Sequence, residues 1–139
     1  MVAALASLAG AGISIYLTAV HYSTVPLACP AGAVANCERV LSSSFAVIGG
    51  STVPTSAAGI LWFGISGALA AALWVRPRAS LAKIQLAWSA IGLVTVVYLV
   101  FVEIVRLGAV CSWCTATHIL VLMIFLVSLN QSSVRLREE

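Results

Sequence analysis

Four long apolar stretches divide this chain. The first runs from Val2 to Tyr22 and carries no charge. The second runs from Thr55 to Val75 and is closed by Arg76-Pro77-Arg78. The third runs from about Leu81 to Leu107, with Lys83 near one end and Glu103 and Arg106 near the other. The fourth runs from about Cys111 to Leu129. A membrane-spanning helix needs about 20 mostly apolar residues, within a range of about 17–25, and all four stretches qualify. Lipid offers no partner to backbone N–H and C=O groups, so each must be helical. The first stretch lacks a basic n-region and exceeds the usual h-region of about 7–15 residues, so it reads as a retained helix, not a cleaved signal. The pattern therefore predicts an all-α membrane protein: a four-transmembrane-helix bundle forming one domain over residues 1–139, with helices at about 2–22, 55–75, 81–107 and 111–129.

The one long polar stretch, Ser23–Pro54, separates the first two helices. Its first part, His21 to Asn36, is rich in Pro, Gly, Ala and Ser and reads as irregular. Asn36 is then a candidate N-cap, followed by exposed-type Glu38 and Arg39 and apolar Val40, Leu41 and Phe45. This predicts a short amphipathic helix at the membrane interface. Gly49-Gly50-Ser51 turns the chain, and Pro54 stands near the first turn of the second helix, where proline is tolerated. Gly10, Gly12, Ser14, Gly59, Gly64 and Gly67 supply small residues for close helix packing.

Composition agrees. Of 139 residues, 62% are hydrophobic and 8% charged, and the mean hydropathy is +1.12. A soluble domain carries about 25% charged residues, so a water-facing surface is excluded. The net charge of +3 comes from a few scattered basic residues, with no basic patch interleaved with aromatics, so nucleic-acid binding is not indicated. Arg76, Arg78 and Lys83 lie in the link between the second and third helices, and Arg135 and Arg137 follow the fourth. The positive-inside rule makes that side and both termini cytoplasmic. The long loop and the short Leu107–Val110 link then face outward (periplasmic or extracellular), and with them all four cysteines. Disulfides form and persist on that side.

Those cysteines are the candidate chemistry. Cys111-Ser-Trp-Cys114 opens the fourth helix, and its two thiols, three apart, share a helix face. The positive end of a helix stabilises a thiolate, which favours Cys114 in the first turn. Cys29 and Cys37, with seven residues between them, sit in the outer loop, where they can reach the helix pair through a mixed disulfide. Three readings remain open on the residues alone. The first is a redox relay. The second is a pair of static disulfides, although a Cys-x-x-Cys ring closes too short a loop to be an effective staple. The third is a zinc site, although only one short knuckle is present. Haem attachment would need histidine where Thr115 stands.

With these residues in view, the chain resembles the vitamin K epoxide reductase family in its single-domain bacterial and archaeal form. The resemblance spans nearly the whole chain. It rests on Cys29-x7-Cys37, on Cys37-Glu-Arg-Val-Leu-Ser-Ser-Ser, on the Gly-containing second helix and on Cys111-Ser-Trp-Cys114. It implies a four-helix bundle enclosing a quinone (ubiquinone, menaquinone or vitamin K type) near its outer end. By the same resemblance Cys114 faces the quinone, Cys111 exchanges with the loop, Cys37 attacks Cys111, and Cys29 meets the partner protein. Ser43 matches a serine of the active-site motif. Two positions depart from the vertebrate pattern: His118 replaces a tyrosine, and the place of an asparagine falls at about Thr55. Many bacterial relatives carry a fused thioredoxin-like domain. The chain stops at Glu139, so a separate thioredoxin-like or DsbA-like partner is expected.

His118 lies one turn below Cys114 on the same face. A histidine in a membrane helix usually faces the bundle interior, where it could donate to a quinone carbonyl or supply a proton. Glu103 and Arg106 read as an interfacial ion pair, and His21 as interfacial. Trp62, Trp74, Trp88 and Trp113 could be belt or core. The expected function is a membrane thiol–quinone oxidoreductase supporting disulfide formation in exported proteins. The alternatives are reduction of a vitamin K quinone or epoxide as the main output, and a small structural or transport protein with two static disulfides.

Overall fold

This computed structural model describes residues 1–23, 27–29 and 36–138, with side chains described as far as residue 134. The segments 24–26 and 30–35, part of the stretch expected to be irregular, and the side chains of Arg135 and Arg137 lie outside the described residues. Helix α1 spans Val2–Tyr22, α2 Cys37–Leu41, α3 Thr55–Val75, α4 Ala79–Phe101 and α5 Ser112–Glu138. From Val102 to Leu107 helix α4 continues as a π-helix. The described residues form no strand, only an isolated antiparallel bridge between Val47 and Pro54. Four helices are long and apolar enough to cross a membrane. A 21-residue helix such as α1 rises about 31 Å, close to the thickness of a hydrocarbon core. The protein is an integral, multi-pass membrane protein.

Helix α1 packs between α3 and α5, and α4 closes the ring against both. The packing is inverted relative to a soluble bundle. Helix α1 turns Ala3, Ala6, Ser7, Gly10 and Ser14 inward and leaves Leu5, Leu8 and Ile15 outside. Helix α4 buries Ala82, Gln85, Ser89 and Gly92 and exposes Ile84, Ile91, Val94 and Val97. Lipid removes the hydrophobic drive between helices, so close contact of small residues takes its place. Buried hydroxyls are satisfied locally: Ser7 and Ser128 donate to the carbonyls of Ala3 (2.8 Å) and Ile124 (2.7 Å). Ser132 donates across helices to Ala82 at 3.2 Å.

Three element expectations change. The fourth helix does not stop at Leu129. Polar Asn130-Gln131-Ser132-Ser133 lowers hydropathy, but without Gly or Pro nothing there ends a helix. The third helix starts at Ala79, two residues before the expected start, and its last six residues are π, which apolar periodicity does not reveal. In the outer loop a helix does form behind Asn36, whose side-chain oxygen accepts the Arg39 N–H at 3.0 Å. It ends at Leu41, and Phe45 belongs to a separate 3₁₀ turn, Ser44–Ala46. Five residues are too few to lay an amphipathic face along a membrane. The helix instead inserts Cys37 and Val40 into the protein.

Candidate active site

Cys111 stands at the N-cap of α5. Its carbonyl accepts the Thr115 N–H at 2.8 Å, the first bond of the helix, and its sulfur accepts the Cys114 N–H at 3.3 Å. A side chain that accepts from the third helical residue is what an N-cap does. Here a sulfur replaces the usual serine or aspartate oxygen. The helix-end donor expected to serve Cys114 therefore serves Cys111. The Cys114 side chain hydrogen-bonds to Cys111, and this holds the Cys111 thiol below its ordinary pKa. The Cys114 backbone N–H adds to the effect, while burial and the nearby Glu103 charge oppose it.

The loop pair comes to the same place. Cys29 and Cys37 form a disulfide with Cα atoms 6.3 Å apart, whereas Cys111 and Cys114 are free thiols. Cys37 (1% exposed) and Cys111 (0%) belong to one buried cluster with Val40 and Ala109, and Cys29 and Cys114 pack against it. Backbone bonds fix this approach. The residue before Cys37, Asn36, donates its N–H to the Val110 carbonyl at 3.1 Å. The residue before Cys29, Ala28, is held twice. Its carbonyl accepts the Trp113 indole N–H at 2.8 Å, and its N–H donates to the Tyr16 hydroxyl at 3.2 Å. Tyr16 and Trp113 pack with centroids 5.3 Å apart. Each loop cysteine is thus seated by its preceding residue against a neighbour of Cys111.

Beneath the cysteines a cavity of about 410 Å³ opens between the helices and under the loop, within the usual range for small-molecule sites. Its wall is mostly apolar. Cys114, His118, Ser43 and Thr55 all line it, so all four residues singled out for ligand contact meet at one space. Ser43 and Thr55 hold the loop as well, donating to the carbonyls of Val40 (2.7 Å) and Phe45 (3.3 Å). His21 also lines the cavity, so it faces inward.

Two features were not expected. Glu103 is no partner of Arg106. Its side chain is 5% exposed, Arg106 is exposed, and the Glu103 carboxylate faces the Cys111 backbone N–H and the Cys114 side chain while lining the cavity. The π segment turns it inward, and only its spacing from Cys111 and the cost of an intramembrane carboxylate hinted at this. The tryptophans also separate. Trp62 and Trp88 stack at 6.4 Å in the cavity wall, and Trp88 donates its indole N–H to the Trp62 carbonyl at 3.3 Å. Trp74 is exposed. The buried Trp62 indole N–H has no partner among the described residues.

The sequence over residues 1–129 matches the vitamin K epoxide reductase family. No curated protein matches the chain. Membership implies a membrane redox enzyme, and the disulfide-bonded loop pair beside a free Cys-x-x-Cys pair agrees with it. The match covers nearly all of the chain, so the chain belongs to the vitamin K epoxide reductase family.

Proposed function

We propose that this chain is a membrane thiol–quinone oxidoreductase. It reoxidises a separate thioredoxin-like or DsbA-like partner on the outer side of the membrane and so supports disulfide formation in exported proteins. One observation carries this reading: the four cysteines converge, and Cys114 alone among them lines the apolar cavity. Electrons that enter at the loop therefore have one exit. Arg76, Arg78 and Lys83 lie at the far end of the bundle from the cysteines, which supports an outward-facing site by the positive-inside rule.

The relay follows from disulfide exchange. A partner thiolate attacks the Cys29–Cys37 disulfide at Cys29 and releases Cys37 as a thiolate. Cys37 attacks Cys111 of an oxidised Cys111–Cys114 pair, so the Cys37–Cys111 bond forms and Cys114 leaves with the electron pair. Cys29, freed when the partner closes its own disulfide, attacks Cys37 and restores the loop bond. Cys111 and Cys114 then hold the two electrons.

The cavity fits a quinone on its own terms. An apolar wall suits the ring and tail. His118 offers a donor to a carbonyl oxygen, and Ser43 and Thr55 add hydroxyls at the loop side. A bound quinone supplies a two-electron acceptor. Purified protein, reduced and given one equivalent of a short-chain quinone, should lose one pair of thiols, and Cys111→Ser should abolish the loss. Thiols that persist in the wild type would overturn the proposal. Turnover of a naphthoquinone epoxide without oxidation of a thioredoxin-like partner would favour epoxide reduction as the main output.

A further inference from the structure

Glu103 has no counterpart in the relay above, yet it is the one buried carboxylate among the described residues. It sits in the π segment that ends helix α4, a geometry often found at functional sites. The backbone around it is pinned: its carbonyl accepts the N–H groups of Gly108 and of Ala109, the latter at 3.2 Å. Gly108, at φ 58°, provides the left-handed turn that brings the chain back toward it. Its carboxylate faces Cys114 and the Cys111 backbone N–H. No ion pair compensates it, and it belongs to no cluster of three or more metal-ligating side chains among the described residues. The ionisable side chains around the same space are Cys111, Cys114 and His118 from the α5 end and His21 from α1.

We propose that Glu103 is a catalytic residue, the base that takes the proton from the Cys114 thiol. The Cys114 S–H bond breaks, an O–H bond forms on the Glu103 carboxylate, and Cys114 becomes the thiolate that gives up its electrons. No electron moves in this step. The need for such a base follows from the cap. The helix-end N–H goes to the sulfur of Cys111, so Cys114 has no comparable donor to stabilise its charge. Two adjacent negative charges in a buried site are strongly disfavoured, so Glu103 and Cys114 share one proton, and moving it charges one as it neutralises the other. The cavity beside Glu103 gives that proton a route toward the site where it is consumed.

This inference rests on the proposed thiol–quinone activity, and its test separates the two. Cys114 in reduced protein can be titrated without any quinone, by N-ethylmaleimide alkylation read at Cys114 by mass spectrometry across pH. Wild type should show a rate that rises with a carboxylate-dependent step. Glu103→Gln should remove that step and slow alkylation near neutrality by roughly 10²-fold, the lower end for a general base. Glu103→Asp should retain the step with a smaller rate. Oxidation by a short-chain quinone should fall in the same order. The Cys37–Cys111 mixed disulfide in a Cys114→Ala background should form no more slowly with the added Glu103→Gln change, which removes a charge that opposes the Cys111 thiolate. Wild-type alkylation and pH profile in Glu103→Gln would overturn the role of Glu103 and leave the relay standing. Failure of wild type to oxidise with quinone, with the alkylation difference intact, would overturn the relay's outlet alone. Should the Glu103→Gln variant not fold, a Glu103→Asp variant with the wild-type pH profile and rate would overturn the proposal.

Discussion

The indole N–H of Trp113 donates to the carbonyl oxygen of Ala28 at 2.8 Å, tying the middle of the Cys-Ser-Trp-Cys run to the residue before Cys29. The bond holds the loop in one register over Cys111. Trp113→Phe keeps an aromatic ring against Tyr16 and removes the donor, a loss of about 0.5–1.5 kcal/mol. Partner oxidation should slow severalfold as the loop loses its seat. Direct oxidation of the reduced helix pair by a short-chain quinone should be unchanged, and stopped-flow measurement of both rates checks the split.

The buried cluster that holds Cys37 and Cys111 makes a definite prediction about connectivity. In Cys114→Ala the Cys111 thiolate can still attack Cys37 of the loop disulfide and release Cys29 as a thiolate, and with no Cys114 to resolve the product a Cys37–Cys111 mixed disulfide should accumulate. Non-reducing peptide mapping reads it directly. A trapped Cys29–Cys111 species would reverse the order of the loop cysteines.

Gly92 faces Trp62 so closely that an added Cβ would collide with the indole ring. Alanine in place of glycine inside a helix ordinarily stabilises by about 0.5–1 kcal/mol. Overpacking costs about 1–3 kcal/mol, and the clash wins. Gly92→Ala should lower the melting temperature in detergent. It should also push Trp62 into the cavity, weakening the protection that added quinone gives against unfolding. A variant stabilised by the change would show that Trp62 moves freely.

The Cys111 thiol is held below its ordinary value by the Cys114 side chain and N–H. A lowered value means the thiolate survives to lower pH, so thiolate ultraviolet absorbance in reduced protein should appear at a pH below that of a free cysteine. Cys111→Ser should remove this low-pH component, and its persistence there would assign it elsewhere. Serine is also a good N-cap, so the variant should keep the helix start while losing the relay.

Much of the architecture was readable from apolar length alone, because lipid imposes a strict rule on any segment of about 20 residues. Val2–Tyr22 and Thr55–Val75 come out as expected for that reason. The cysteine pairs were readable because their chemistry is tied to residue type. What stayed hidden depends on a few degrees of backbone. Glu103 and Arg106, three apart, look like a helix-surface pair until the π segment turns the carboxylate inward. The two sulfurs of the Cys-x-x-Cys run look equivalent until the N-cap gives the helix donor to Cys111. Trp62 and Trp74 are alike in sequence, yet one lines the cavity and the other faces out.

The π segment over Val102–Leu107 amounts to one residue more than an α-helix would need to climb the same height. Each residue turns an α-helix by about 100°. Removing Ile104 or Val105, neither of which lines the cavity, would let ordinary helix resume and turn Glu103 out of register with Cys114, with every side chain of the site still encoded. The proton chemistry of this bundle therefore depends on chain length as well as on residue identity. A single in-frame codon deletion, changing no site residue, would disarm it.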